Sequence, residues 1–225
     1  MATNPSNAYR NGTMYSSYTA ASLAREYELA DKYKINFLGS VSWSFEFEDQ
    51  PWFYGFRDLA TNGVDKPVLN VFRMFGKMKG QRVKVTSDRM YDRQAVIDSG
   101  IKGATTDIGA LASKDKKSAA VMVWNYHDDA KRGTAEPVAI TLAGIPAAKV
   151  KITQWLIDEA HSNSYEAWKK MGSPQSPTAA QVALLQKAGQ LEKISPTHLQ
   201  NVKGGTVRTV IELSRQGVAL IQFEW

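Results

Sequence analysis

Ala119-Ala-Val-Met-Val-Trp-Asn-Tyr126 is an unbroken apolar run closed by the polar turn His127-Asp128-Asp129. A short run of β-branched and aromatic residues bounded by a turn reads as a buried strand. Downstream, Val138-Ala-Ile-Thr-Leu142, Val150-Lys-Ile-Thr-Gln-Trp-Leu-Ile157, Thr206-Val-Arg-Thr-Val-Ile-Glu-Leu213 and Val218-Ala-Leu-Ile-Gln-Phe-Glu-Trp225 have the same character. Upstream, Arg82-Val-Lys-Val-Thr86 alternates. Short strands punctuated by turn residues predict a mainly β fold, an antiparallel β-sandwich over residues 81–225. One helical insertion interrupts it, with Pro177-Thr178 as start signal and a body from Gln181 through Ala188. His127 beside Asp128 and Asp129 reads as a solvated turn, because adjacent residues on a turn seldom converge on a metal.

Residues 1–80 read as a different unit. From Thr19 to Tyr33 an apolar side recurs at Leu23, Tyr27, Ala30 and Tyr33, a helical period with Thr19 or Ser17 as N-cap. Ile35-Asn-Phe-Leu-Gly-Ser-Val-Ser-Trp-Ser-Phe-Glu-Phe47 follows as a β-rich, alternating stretch. A long loop to Val64 carries Trp52, Phe53, Tyr54 and Phe56. Asp65-Lys66-Pro67 then opens a helix, with Asp65 as N-cap and Val68, Val71, Phe72 and Phe75 along one face. Helix, strand, long loop, helix is the order of α/β barrel units, and barrel enzymes keep their active-site residues after the strand ends.

The chain has 225 residues, 43 % of them hydrophobic, with 28 basic against 22 acidic side chains and no cysteine. That composition supports a packed core and excludes disulfides, thiol nucleophiles and thiolate metal sites. A closed (β/α)8 barrel takes roughly 250 residues, so the chain is too short for a barrel plus a sandwich. No apolar run reaches the roughly 20 residues of a membrane span, and Met1 to Asn7 lacks the charged and apolar regions of a signal peptide. The basic clusters Lys77/Lys79/Arg82/Lys84 and Lys114/Lys116/Lys117 are not interleaved with aromatics, which argues against nucleic acid as partner.

The strand end carries the candidate chemistry. In an extended strand Glu46 and Glu48 share one side and Phe45 and Phe47 the other, with side chains two apart separated by roughly 7 Å. That separation falls between those of retaining and inverting carboxylate pairs. The spacing neither proves nor excludes catalysis by Glu46 and Glu48, the candidate catalytic residues; Trp43 and Trp52 offer flat faces for stacking on a ligand, with Glu48 and Asp49 as carboxylates beside them. No metal or cofactor is called for by any motif.

Three stretches resemble the last barrel units of glycoside hydrolase family 39. They are Tyr15-Ser-Ser-Tyr-Thr-Ala-Ala21, Trp43-Ser-Phe-Glu-Phe-Glu-Asp-Gln-Pro51, and Asn62-Gly-Val-Asp-Lys-Pro67 with Phe72-Arg-Met-Phe75. His161-Ser-Asn-Ser-Tyr-Glu-Ala-Trp168, Met171-Gly-Ser-Pro174, Pro177-Thr178 and Gln181-Val182 resemble the insertion in that family's accessory β-sandwich. The resemblance is nearest to its bacterial β-xylosidases. It implies release of xylose from xylo-oligosaccharides or aryl β-xylosides, without a cofactor. It places Trp43 near the glycone, Glu48 and Asp49 on the substrate, and residues 158–161 in a structural connection. The family's acid/base sits in an Asn-Glu-Pro motif and its nucleophile in a Thr/Ser-Glu motif. Neither motif occurs in this sequence: Asn4-Pro5 lacks the intervening glutamate, and no Glu precedes Glu26. The expectation is therefore a C-terminal piece, an α/β remnant of an incomplete barrel followed by the sandwich. Its rival is a non-catalytic sandwich module that binds carbohydrate or mediates association. The remnant's apolar stripes, Phe72/Phe75 and Leu23/Tyr27, are expected to fold back on the sandwich, to pair copies of the chain, or to dock on a separate polypeptide with the other barrel units.

Overall fold

The computed structural model describes residues 5–225; Asn4 of the Asn4-Pro5 pair lies outside the described residues. A 3-10 turn, Pro5–Arg10, leads into helix α1, Thr13–Tyr33. The two-residue strands β1, Ala60–Thr61, and β2, Val64–Asp65, form a hairpin before helix α2, Pro67–Lys77. Strand β3, Gln81–Val83, and helix α3, Arg93–Ser99, precede four longer strands. These are β4, Asp107–Lys114, β5, Ser118–Tyr126, β6, Glu136–Ala143, and β7, Lys149–Ile157. Helices α4, Ser164–Lys170, and α5, Ala179–Ala188, form an insertion. The chain ends with β8, Glu192–Lys193, β9, His198–Asn201, β10, Thr206–Leu213, and β11, Val218–Glu224.

One seven-stranded antiparallel sheet runs β3-β4-β5-β11-β7-β8, with β9 also on β7; β6 and β10 make a second, two-stranded sheet. The central strands are covered on both faces. From β5, Met122, Trp124 and Tyr126 face Ala20, Ala21 and Ala24 of α1 and Val71 and Met74 of α2. The alternate residues Val121 and Val123 face Val207, Ile211 and Leu213 of β10 and Val138, Ile140 and Leu142 of β6. Burial on both faces explains why β5 is a continuous apolar run rather than an alternating one. The one-sided β6 alternates instead.

Gly109 shows how tightly the helical face is built. A Cβ there would lie 2.5 Å from the Trp124 ring, so only glycine lets the indole lie flat on β4. Gly109→Ala should cost about 1–3 kcal/mol through overpacking, measured as a lower urea midpoint with unchanged slope; an unchanged midpoint would contradict this packing.

Several expectations need correction. Helix α1 begins at Thr13 with Gly12 as N-cap, not near Thr19. The Thr19 hydroxyl donates to the Tyr15 carbonyl (2.8 Å) and Ser17 Oγ donates to Gln216 (2.5 Å), so neither caps the helix. The face against the sheet is alanine, not Leu23 and Tyr27, because small side chains let the helix backbone approach Trp124 and Tyr126. The N-cap of α2 is Lys66 rather than Asp65, whose carboxylate instead accepts from Arg73 (2.7 Å). Its buried face uses Val68, Val71 and Met74, with Phe72 and Phe75 only partly covered. Residues 35–47 form no strand. β-propensity needs a neighbouring strand to pair with, and among the described residues this stretch has none: its Phe45 carbonyl accepts from Leu59 and Ala60, and its Ile35 N–H donates back to Ala30 at the end of α1. The loop after it is not open to Val64, since β1 and β2 pair within it.

The turn at His127 is not solvated either. His127 is buried, with Nε2 2.9 Å from the Gly103 carbonyl and Nδ1 accepting the Asp129 N–H at 3.1 Å. Those partners fit a neutral imidazole with its proton on Nε2. Gln216 Nε2 donates to the carbonyls of His127 and Asp129, both at 2.7 Å, which locks the turn onto the sheet.

Candidate functional site: the loop of residues 43–66

The loop is held from three sides. At its C-terminal end Asn62 and Gly63, both with positive φ (46° and 73°), make the tight turn between β1 and β2. Two successive left-handed residues are what a two-residue hairpin of this kind needs, and Asn-Gly supplies them at least cost. In its middle, Phe53 is buried against Tyr165 (centroids 5.3 Å apart) and Trp168 (5.0 Å), with Val64 and Leu185 closing the cluster. The Phe53 N–H donates to Thr61 Oγ1 (3.1 Å) and its carbonyl accepts from Asn11 Nδ2 (2.6 Å). Gln175 clamps the adjacent Trp52 backbone, accepting from its N–H (2.9 Å) and donating to its carbonyl (3.2 Å). The insertion helices α4 and α5 thus serve as the loop's support.

Beneath the hairpin lies a charged pair that sequence reasoning missed. Lys66 and Asp58 are 1 % and 3 % exposed, and the Lys66 ammonium bonds the Asp58 carboxylate. Burial pushes the Asp58 carboxyl above its ordinary range and the Lys66 ammonium below its own, each against the opposing pull of its partner's charge. The charge of Glu46 also reaches both groups. A lysine and an aspartate eight positions apart in a polar stretch carry no sequence signal that they meet; only the Pro67 that starts α2 fixes where Lys66 must turn inward.

The predicted site residues fall into two sets. Glu46 and Trp52 are anchored: Glu46 Oε1 accepts the Gly63 N–H at 2.8 Å, and the Trp52 ring packs on the Phe53–Trp168 cluster. Trp43, Glu48 and Asp49 are exposed, Trp43 at 71 %, and Asp49 takes a positive φ of 55°. Among the described residues no ion pair joins Glu46, Glu48 or Asp49 to a basic group. Because no strand forms here, the alternation that set Glu46 and Glu48 side by side is absent. What the arrangement offers chemically is a run of three carboxylates, one of them anchored, beside an exposed indole. Asp158 and His161 form a closed local knot instead, with Asp158 Oδ1 accepting from the N–H groups of Ala160 and His161, both at 2.7 Å. Among the described residues no cluster of three His, Asp or Glu suits a metal ion, and no helix is long and apolar enough to cross a membrane.

The chain is similar over 98 % of its length to a β-xylosidase of Geobacillus stearothermophilus, at 22 % identity, and covers 39 % of that protein. Among solved structures it superposes on a GH39 enzyme from Xanthomonas axonopodis pv. citri with a TM-score of 0.75, at 15 % identity, over 98 % of this chain and 42 % of that one. A monomeric β-xylosidase from Caulobacter crescentus CB15 gives a TM-score of 0.74 at 17 % identity, over 98 % and 43 %. The chain therefore spans about two fifths of the length of these relatives. The sequence model for glycosyl hydrolases family 39 matches residues 2–204, nine tenths of the chain, so this protein belongs to glycosyl hydrolase family 39.

Proposed function

We propose that the chain acts as a β-xylosidase-type glycoside hydrolase on xylose-terminated oligosaccharides or aryl β-xylosides. Residues 1–80 contribute barrel-type elements with the sugar loop, and residues 81–225 an accessory β-sandwich, the C-terminal arrangement of the family. Glu46 or Glu48 is the proton donor and acceptor; Trp43 covers the sugar face, Asp49 and Glu48 accept from its hydroxyls, and Trp52 backs the loop. The carboxyl gives its proton to the leaving oxygen as the glycosidic bond breaks, and the carboxylate so formed takes a proton back from the water that adds at the anomeric carbon. One observation carries this reading: the ridge bearing Glu46, Glu48 and Asp49 is fixed by hairpin, aromatic cluster and buried ion pair, yet presents Trp43, Glu48 and Asp49 to solvent. An anchored loop backbone that leaves carboxylates and an indole open to solvent suits contact with a sugar.

A second reading is a carbohydrate-binding or association module without turnover. The anchoring of Glu46 to Gly63 favours it, since Oε1 is already taken up by a backbone N–H of the hairpin and serves the fold. Glu46→Gln and Glu48→Gln separate the two, assayed with an aryl β-xyloside against a mock-purified control. Loss of one general acid should lower kcat about 100-fold or more in one variant. Equal rates in parent, both variants and control would establish the non-catalytic module instead.

A further inference from the structure

The dipeptide Asn-Gly occurs twice in this chain, at Asn11-Gly12 and Asn62-Gly63, in opposite surroundings. It is a pair open to loss of the asparagine amide, because the following glycine has no side chain to obstruct attack by its own nitrogen. Asn11 is 0 % exposed, and its Nδ2 donates to the Phe53 carbonyl at 2.6 Å. A Cβ on Gly12 would lie 3.5 Å from the Tyr165 ring. Asn62, by contrast, is half-buried at the tip of the β1–β2 hairpin, and Gly63 is exposed. A Cβ built on Gly63 would meet nothing within 4 Å, so water reaches the peptide link between the two residues. Two bonds tie that link down. Asn62 Nδ2 donates to the Gln50 carbonyl at 3.1 Å, and the Gly63 N–H donates to Glu46 Oε1 at 2.8 Å.

We propose that Asn62 is a site of spontaneous deamidation and that the Glu46 carboxylate restrains it. The Gly63 nitrogen gives up its proton to solvent and attacks Cγ of Asn62. The Cγ–Nδ2 bond breaks, and the amide nitrogen leaves as ammonia with a proton taken back from solvent. The cyclic imide so formed adds one water, which opens it at either carbonyl to give aspartate or isoaspartate. Water is the co-reactant, ammonia the product, and nothing is oxidised or reduced. The step depends on a nitrogen anion. A carboxylate that accepts the N–H holds the proton in place, and its charge disfavours a second negative charge beside it. Glu46 therefore guards the link, a role separate from proton transfer to a sugar. Conversion also undoes its own restraint. It removes the donor to Gln50 and sets a new carboxylate next to Glu46, and the iso form adds a methylene to the backbone of a two-residue turn. The turn that anchors the loop thus carries an irreversible ageing step.

The test incubates the full chain at mildly alkaline pH and follows each asparagine by peptide mass, with enzymatic methylation of isoaspartate as a second readout. Asn62 should convert about 10-fold or more faster in Glu46→Ala than in the parent, the factor that one hydrogen bond to a charged group contributes. Glu46→Gln, which keeps an acceptor but loses the charge, should fall between the two. Asn11 should stay intact in all three proteins, which shows that the fold is kept while Asn62 reacts. In urea the two pairs should convert at similar rates, and the Glu46 substitutions should make no difference, because unfolding removes both surroundings. Three results would each overturn the proposal: equal conversion of Asn62 in parent and Glu46→Ala, conversion of Asn11 in step with Asn62 in the folded chain, or an Asn62 that stays intact in folded Glu46→Ala while the unfolded chain converts. None of these readouts depends on sugar binding or turnover.

Discussion

Lys66→Met should destabilise the protein by about 3–5 kcal/mol, the range for removing one partner of a buried ion pair. Methionine replaces the stem of the lysine well enough, so the loss is electrostatic. It leaves the Asp58 carboxylate buried with no cation, and the Phe56 carbonyl, 3.5 Å from Nζ, without its donor. The double variant Lys66→Met/Asp58→Leu should recover most of that loss, because two apolar side chains of similar volume need no mutual charge. If the double variant is as unstable as the single one, the cost arises from packing and not from an unpaired charge. The sign of the pH dependence follows from burial. Asp58 already has a raised folded pKa with Lys66 present, and removing the ammonium pushes it further up. A carboxyl raised in the folded state contributes its stability in full below the unfolded value and loses it as pH rises through the folded one. The Lys66→Met deficit, read by urea unfolding, should therefore be small near the ordinary carboxylate range and grow toward neutrality. A deficit that shrinks with rising pH would show that Asp58 is not the buried group at fault. The same variant bears on function, since the loop carrying Glu46 stands on this pair.

The parts of the fold that were legible are those whose pattern depends on one or two layers of neighbours. Thr206–Leu213 is read to the residue because its alternation reflects a single buried face. The α5 start is legible through its capping box, in which the Thr178 hydroxyl accepts the Gln181 N–H and the Gln181 side chain accepts the Thr178 N–H. What was not legible depends on contacts between distant segments. Asp107–Lys114 is a full strand, but Gly109 is small to make room for Trp124, and Ala110 and Ala112 on the opposite face give no β signal. The stretch at 35–47 has the composition of a strand and, among the described residues, no partner strand in register with it, and Leu38 and Val41 stand 90 % and 96 % exposed. Of the site, the sequence marked the acidic ridge and its tryptophans. It gave no sign of the Lys66–Asp58 pair or of Gln175 clamping Trp52, because each pairing is made by tertiary packing alone.

Asp107→Ala should cost a similar 3–5 kcal/mol and act mainly on the docking of α1. Asp107 is 0 % exposed, and its two oxygens take three donors from three parts of the chain. Oδ2 accepts from Arg25 of α1 and from Trp124 Nε1 of β5, both at 2.9 Å, and Oδ1 accepts the Tyr91 N–H at 2.8 Å. The alanine-lined face of α1 gives close approach but little apolar area, so the Arg25–Asp107 bond carries an unusual share of the helix's attachment to the sheet. Removing the carboxylate leaves a largely buried guanidinium and an indole N–H without acceptors, each costing more than the bond itself contributed. Asp107→Asn keeps the shape and one acceptor but turns an amide N–H toward Arg25 or Trp124, so its loss should be smaller, about 1–3 kcal/mol. Amide exchange decides between this account and a general loosening. Protection should fall first in α1, while β10 and β6, on the opposite face of the sheet, keep theirs until global unfolding. Uniform loss of protection across both faces would mean that Asp107 supports the sheet as a whole and not the helix in particular. Arg25→Met should reproduce the loss of protection in α1 without touching β4.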